Sequence, residues 1–296
     1  MQILVFGAGS LGSLIGGLLA DTHDVTLVGR DPHVSTVQEQ GLAITGDIEA
    51  TTQPAADTTV PDSTELAIVT VKSYDTDAAA RTLRAADPDT VLSLQNGLGN
   101  EETLAESLDG TVLAGTCTYG ARLDTPGVVA CTGVGTVTLG ARTGGHSREA
   151  DRIGGAFQQA GIETAVTTDM PRKLWEKLAI NAGINAITAL ARVENGALTE
   201  EPASDLAARA ATETAQVARE NGVKLSNERV TDELVTVIET TAPNRSSMYQ
   251  DLEAGQRTEI EGINGAVRER ANEPVPVNET LTALIETWER ERNLRK

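Results

Sequence analysis

The sequence predicts an α/β protein, with an N-terminal doubly wound sheet of parallel strands followed by an all-helical domain. Three observations carry this. Short apolar runs at residues 2–6, 25–28, 66–71 and 90–94 alternate with helical stretches, as strands and crossover helices do in a parallel sheet. A glycine-rich turn follows the first run directly, and after Met170-Pro171 no strand pattern recurs. At 296 residues the chain is near the limit of roughly 250 to 300 that one core sustains, so two domains are expected. We place them at 1–168 and 169–296.

Residues 2–6 are short and rich in branched side chains and end in Gly7-Ala8-Gly9, as a strand buried on both faces does. Residues 10–20 carry small and apolar side chains suited to a helix laid on a sheet, 21–24 punctuate, and 25–28 form the second strand. The alanine-rich stretch 76–86 is the crossover helix between runs 66–71 and 90–94. From 111 to 142 the texture becomes alternating, threonine-rich and glycine-punctuated, which predicts antiparallel strands completing the first domain, with a turn over 127–133. A helix over 147–159 and a strand over 162–167 follow.

Composition excludes several function classes. With 43 acidic against 24 basic residues the formal charge is -19, a field that repels phosphate backbones and anionic lipid, so neither nucleic acid nor a membrane is an expected partner. Only Lys72, Lys173, Lys177, Lys224 and Lys296 supply ammonium groups, and aromatics make up 2%. Both features resemble the surfaces of proteins that work in concentrated salt. Halophilic adaptation is the expectation and an ordinary acidic enzyme the alternative; equal folding and activity in dilute buffer and molar KCl would decide for the latter. Cys117 and Cys131 form no CxxC pair, and His23, His33 and His146 are scattered, so no metal site and no disulfide framework is expected. No basic segment precedes a long apolar run, and residues 14–20 are too few to span a bilayer, which points to a cytoplasmic protein.

Gly7-Ala8-Gly9-Ser10-Leu11-Gly12 fits GxGxxG. The first glycine makes the turn, the second lets the backbone approach a pyrophosphate, and the third allows close helix packing. The pattern alone is weak, but its position between a strand and a helix is the Rossmann-type context that gives it meaning. A helix start there offers unpaired N–H groups to phosphate. The plain alternative is a glycine turn with no ligand. At the end of the second strand, where an acid would bind the ribose of NAD, stands Arg30, which can pair with a 2′-phosphate. This favours NADPH, with NADH the weaker alternative because Asp31 follows; a surface Arg30–Asp31 pair is the bland reading. Lys72 and Asn96 fall just beyond two further strand ends, at the edge where such sheets bind ligands, although Asn96-Gly97 could be a simple turn and Lys72 a solvated loop residue.

Residues 174–190 are apolar nearly all round and predict a buried helix. Lys177, Asn181 and Asn185 recur every four residues and, with Thr188, share one face that Ile184 interrupts. Unpaired, each would cost on the order of kcal/mol, so the stripe faces a ligand or a polar network between helices. A partly desolvated lysine there can serve as a proton donor. A further helix is expected to start near Ser247, which forms a capping box with Gln250, and to run on through residues 256–265, carrying Glu259.

Taken in order, GAGSLG, Arg30, VKSYD around Lys72, LQNG around Asn96, WEKLAINAGINAITAL and NRSSMYQDLEAGQRTEIEGING resemble the ketopantoate reductase (2-dehydropantoate 2-reductase) family. The similarity runs from the first strand to about Gly265, and the last two segments are the specific ones. The resemblance implies that Lys177 is the proton donor and that Glu259 orients the reacting end of the substrate and contributes to cofactor binding. It implies that Asn181, Asn185 and Ser247 bind substrate, that Asn96 touches substrate and nicotinamide, and that Arg30 and Lys72 serve NADPH. Asn195 matches a substrate-binding position, although Asn195-Gly196 also reads as an ordinary turn. Glu261 departs from the aspartate that relatives often carry. The implied partner is a small-molecule keto acid, the implied context pantothenate and coenzyme A synthesis, and a homodimer is left open. Two other readings are a paralogous reductase of another keto acid and a catalytically silent NADP-binding sensor.

Overall fold

In the computed structural model, which describes residues 1–295, the chain begins β1 (Gln2–Phe6), α1 (Ser10–Leu19), β2 (Asp24–Val28), α2 (His33–Gln40), β3 (Leu42–Gly46), β4 (Ala50–Thr52), β5 (Ala55–Asp57) and β6 (Leu66–Val69). It continues with α3 (Thr76–Leu83), β7 (Thr90–Ser93), α4 (Asn100–Ser107), β8 (Thr111–Cys117), β9 (Gly120–Thr125), β10 (Val128–Gly133), β11 (Val137–Ala141), α5 (Arg148–Gln159) and β12 (Thr164–Val166). Eight strands form one sheet in the order β12-β11-β8-β7-β6-β1-β2-β5. From β5 to β8 every pairing is parallel; β11 is antiparallel to β8 and parallel to β12.

Alternation along each strand sends its side chains into two separate layers. Ile3, Val5, Leu66, Ile68 and Leu92 enter one core with Leu14, Ile15 and Leu19 of α1 and Ile153 and Phe157 of α5. Leu4, Ala67, Val69 and Val91 enter another with Ala79, Ala80 and Leu83 of α3 and Leu104 of α4. Both faces of the sheet are therefore covered, which is why its central strands read as unbroken apolar runs.

The region 111–142 contains the antiparallel pairs expected, β9 with β10 and β8 with β11, but not all of it completes the main sheet. Strand β8 joins β7 in parallel, while β9 and β10 leave the main sheet and form a second one, β4-β3-β10-β9. The turn is tighter than expected: Pro126 and Gly127 make it, with Gly127 at φ 77°, and residues Val128–Gly133 are strand. Strands β3, β4 and β5 are short and carry no strong alternation, so the sequence pattern did not reveal them.

Contacts divide the chain into two units, Met1–Gln95 with Gly99–Met170, and Asn96–Leu98 with the chain from Pro171 onward. The domain expected over 1–168 is interrupted, because the contacts assign Asn96–Leu98 to the second unit. The second unit contains α6 (Met170–Ala191), α7 (Ala203–Glu220), α8 (Asn227–Thr240), α9 (Ser247–Glu253), α10 (Ala266–Arg270) and α11 (Pro276–Glu291). Its core draws Trp175, Leu178 and Ala186 from α6, Ala207, Ala211 and Ala215 from α7, Leu234 and Ile238 from α8, and Leu281 and Ile285 from α11. Small residues let these helices approach closely, and a Cβ on Gly183 would lie 2.9 Å from the Ala207 carbonyl oxygen.

The single helix expected through 265 is broken. Gly255, at φ 65°, stops α9, because only glycine enters the left-handed region without penalty. Residues 256–258 are irregular, and a π-helical turn, Glu261–Gly265, leads into α10. Glu259 thus lies in a loop between helices.

Candidate active site

In the first unit, the glycine turn has the shape that its sequence suggests. Gly7, at φ 111°, leaves no room for a side chain: a Cβ there would lie 2.8 Å from the Val71 backbone nitrogen. On Gly12 it would lie 2.2 Å from the Gly7 carbonyl oxygen, so the third glycine serves helix packing. Around Gly9 the nearest such atom is 4.0 Å away, leaving space at the start of α1, and no side chain caps that helix. Residues 7–12 therefore fit a dinucleotide pyrophosphate. The Ser10 hydroxyl accepts from Leu123 N–H at 3.0 Å and ties the turn to β9.

Arg30 is exposed just after β2 and forms no ion pair among the described residues. Asp31 is otherwise engaged: its carboxylate accepts from Ser35 N–H at 3.1 Å. The bland Arg30–Asp31 pair is thus not formed. Lys72, half-buried, precedes a 3-10 turn at Ser73–Asp75 beyond the end of β6. Beneath this edge lies a buried polar cluster in which Gln95 donates to the Val71 carbonyl at 3.1 Å and to the Thr76 hydroxyl at 2.8 Å.

In the second unit, Asn96 donates from Nδ2 to Glu259 Oε2 at 3.1 Å. The contact depends on two glycines, since a Cβ on Gly97 would lie 2.4 Å from the Gly262 carbonyl oxygen. Gly97 takes φ 88°, so Asn96-Gly97 is a turn, and that turn is what presents Asn96 to Glu259. Glu259 itself is buried, at 4% exposure, so its carboxylate is shielded from solvent and not a solvated surface acid.

On α6 the stripe grades from open to closed. Lys177 and Asn181 are half-buried, Asn185 is buried, and Thr188 is fully so. Thr188 belongs to a network between helices, because its hydroxyl bonds the Ser246 hydroxyl at 2.8 Å and the Ile184 carbonyl at 2.8 Å. Asn181 makes no hydrogen bond among the described residues, and Asn185 Nδ2 lies 3.5 Å from the Ser247 hydroxyl. Glu176, adjacent to Lys177, accepts from Arg172 at 2.7 Å, from Lys173 at 3.0 Å and from Arg229 of α8. Burial opposes its ionisation, but the hydrogen bonds from Arg229 and Lys173 outweigh that and hold the carboxyl below its ordinary value.

The capping expectation is corrected. Ser246, not Ser247, is the N-cap of α9 and accepts from Tyr249 N–H at 3.1 Å. The preceding residue has the extended geometry that a cap needs, and Ser247, one position on, is left exposed with its hydroxyl toward Asn185. Asn195 is buried, donates to the Thr241 hydroxyl at 2.9 Å and accepts nothing at Oδ1, while its backbone N–H bonds the Asn244 carbonyl at 2.9 Å. It ties the loop that carries Ser246 and Ser247. Sequence reasoning missed Glu176 and Ser246; a lone acid beside a lysine carries no signal that separates it from surface charge.

A parallel sheet with this turn, and a helical unit with a lysine and a carboxylate among buried amides, describe a nucleotide-dependent oxidoreductase. The family model described as "Ketopantoate reductase PanE/ApbA" matches residues 3–144, and "Ketopantoate reductase PanE/ApbA C terminal" matches residues 169–289. The chain belongs to the ketopantoate reductase family. It is 45% identical to the 2-dehydropantoate 2-reductase of Halobacterium salinarum over 98% of this chain and 100% of that one, and 38% identical to that of Pyrococcus horikoshii over 98% of each. Among solved structures it is similar to a ketopantoate reductase from Ralstonia eutropha, with a TM-score of 0.90, 30% identity and coverage of 99% of this chain and 100% of that one. It also resembles a D-mandelate dehydrogenase solved with NADH, with a TM-score of 0.88, 26% identity and coverage of 99% and 100%. No helix among the described residues is long and apolar enough to cross a membrane.

Proposed function

We propose that the protein reduces 2-dehydropantoate to pantoate with NADPH, a step toward pantothenate and coenzyme A. The observation that carries this reading is the pairing of two features in the helical unit: the Lys177–Asn181–Asn185 stripe of α6 and the buried Glu259 held to Asn96. When bound, NADPH supplies the hydride that C2 of the keto acid receives. Residues 7–12 hold its pyrophosphate by backbone N–H groups, Arg30 pairs with the 2′-phosphate and Lys72 adds positive charge.

The chain's own residues handle the proton and the alignment. Protonated Lys177 donates to the oxygen of the C2 carbonyl as negative charge develops there. Its half-buried position weakens the screening of that charge by water. Asn181, with no partner among the described residues, and the Asn185–Ser247 pair offer amide and hydroxyl groups to the substrate's polar ends. Glu259 is a buried acceptor oriented by Asn96, suited to take a hydrogen bond from a substrate hydroxyl. Asn195 acts through the loop it fixes by donating to the Thr241 hydroxyl.

The test is NADPH and NADH oxidation with 2-dehydropantoate, 2-ketoisovalerate, pyruvate and an aryl keto acid, at low and molar KCl. Preference for 2-dehydropantoate with NADPH supports the reading. The likeness to a D-mandelate dehydrogenase favours a second one, reduction of another small 2-keto acid, and preference for the aryl acid would establish it in place of the first. Tight NADPH binding without turnover of any keto acid would leave a non-catalytic sensor.

A further inference from the structure

The segment that presents Glu259 has no regular structure to hold it. Residues 256–258 lie between the end of α9 and the π-helical turn; Gln256 N–H still reaches back to the Asp251 carbonyl at 2.8 Å, but Thr258 N–H is paired with a side chain instead. One side chain supplies what is missing. Glu289, on α11 and fully buried, accepts from Thr258 N–H at 2.7 Å and from the Thr258 hydroxyl at 2.6 Å. The same hydroxyl accepts from Ile260 N–H at 3.2 Å. The backbone on either side of Glu259 is therefore tied to a single carboxylate.

Removing a carboxylate from water is costly, and the structure compensates it from the chain's end. Arg295 bonds Glu289 through Nε and bonds Glu261 at 2.6 Å, while Glu261 also pairs with Arg257 at 2.5 Å. Nothing in the packing of α11 requires an acid at 289, since its core neighbours Leu281 and Ile285 are apolar. A buried acid that spends one carboxylate oxygen on the residue next to Glu259, and the other on Arg295, acts on that residue's position.

We infer that Glu289, clamped by Arg295, is a positioning residue that sets Glu259 against Asn96 and so orients the substrate. It acts through Thr258 and touches neither substrate nor cofactor. The inference rests on the proposed role of Glu259 and adds a long-range dependence of the site on the C-terminal helix.

The experiment is steady-state kinetics, with whichever keto acid the wild type reduces fastest, on Glu289→Gln, Thr258→Val, Thr258→Ser, Glu259→Gln and the Glu289→Gln/Glu259→Gln double variant. Glu289→Gln and Thr258→Val should raise the keto-acid KM or lower its kcat by about tenfold, the effect of one charge-assisted hydrogen bond, with the NADPH KM within about twofold of wild type. Thr258→Ser, which keeps the hydroxyl, should stay within about threefold of wild type. Because Glu289 works through Glu259, the double variant should be no worse than Glu259→Gln alone. Additive losses, or folded Glu289→Gln and Thr258→Val enzymes with wild-type keto-acid kinetics, would overturn the inference. If Glu289→Gln does not fold, the Thr258 pair decides. A wild type that turns over no keto acid would sink the functional reading and this inference with it, whereas an active wild type with additive variants sinks the inference alone.

Discussion

Replacing Glu101 with glutamine should stabilise the protein above neutral pH and have much less effect in acid. Glu101 sits in the first turn of α4 with 1% of its surface exposed, and its Oε1 has no hydrogen-bond partner among the described residues. A helix N-terminus favours the ionised form by only about 0.3 to 1 kcal/mol, so burial wins. Burial pushes the carboxyl up to about 7, against the smaller opposing pull of its own backbone N–H and the Ser93 hydroxyl. The folded protein therefore holds this proton more tightly than the unfolded chain, whose carboxyl titrates near 4.5. The contribution is fully present below the unfolded value and is lost as the pH rises through about 7. Two and a half pH units at about 1.4 kcal/mol each give roughly 3 kcal/mol, most of it lost between about pH 5 and pH 8. Glutamine carries no titrating proton and removes that part. For a unit of this size the difference is roughly 5 to 10 °C in Tm. Calorimetric melts of both proteins at pH 5 and pH 8 in one salt concentration measure it. Any fixed cost of the unpartnered amide cancels between the two conditions. If the variant's Tm difference from wild type is the same at both pH values, Glu101 is not titrating in the folded state and the reasoning fails.

Three further outcomes follow from the site and its supports. Lys177→Ala should lower kcat by about 10² to 10⁴, the usual loss of a general acid, with NADPH affinity by fluorescence titration nearly unchanged. Arg30→Asp should raise the KM for NADPH far more than that for NADH, and equal changes would remove Arg30 from the 2′-phosphate. His33 accepts from Gly127 N–H at 3.0 Å through Nδ1 and meets the Ser13 hydroxyl at 2.9 Å through Nε2, so it must stay neutral, and burial lowers it from 6.5. Its contribution is present above 6.5 and is lost as the pH falls through the folded value, so the Tm difference between His33→Gln and wild type should move in the variant's favour from pH 7 to acid, and a difference independent of pH would show that His33 does not titrate on folding.

What was legible in the sequence follows from the range over which each interaction acts. The strands that build the central sheet were readable because both their faces are buried, which makes each a continuous apolar run independent of its neighbours. Strands β3, β4 and β5 were not, since three to five residues of mixed polarity acquire strand character only by pairing with β10 and β2. The glycine turn was legible because Gly7 takes a positive φ and Gly12 meets the Gly7 carbonyl within the same turn, whereas Gly97 answers to Gly262, more than 160 positions on. That distance also hid why the loop Asn96–Leu98 belongs with the helical unit.

The polar stripe of α6 shows where periodicity stops being informative. Spacing alone put Lys177, Asn181, Asn185 and Thr188 on one face, yet these residues divide in use: Thr188 is spent on Ser246, and the Asn181 side chain makes no hydrogen bond among the described residues. A helix period reports direction, not partner, and partner choice is set by which serine takes the cap. Had Ser247 capped α9, its hydroxyl would be committed to a backbone N–H; because Ser246 does so, a hydroxyl one residue later is left facing Asn185. The same logic separates Glu259 from Glu289. Both are buried acids, but one is held by Thr258 and Arg295, residues of its own surroundings, whereas the other meets an amide that a glycine turn delivers.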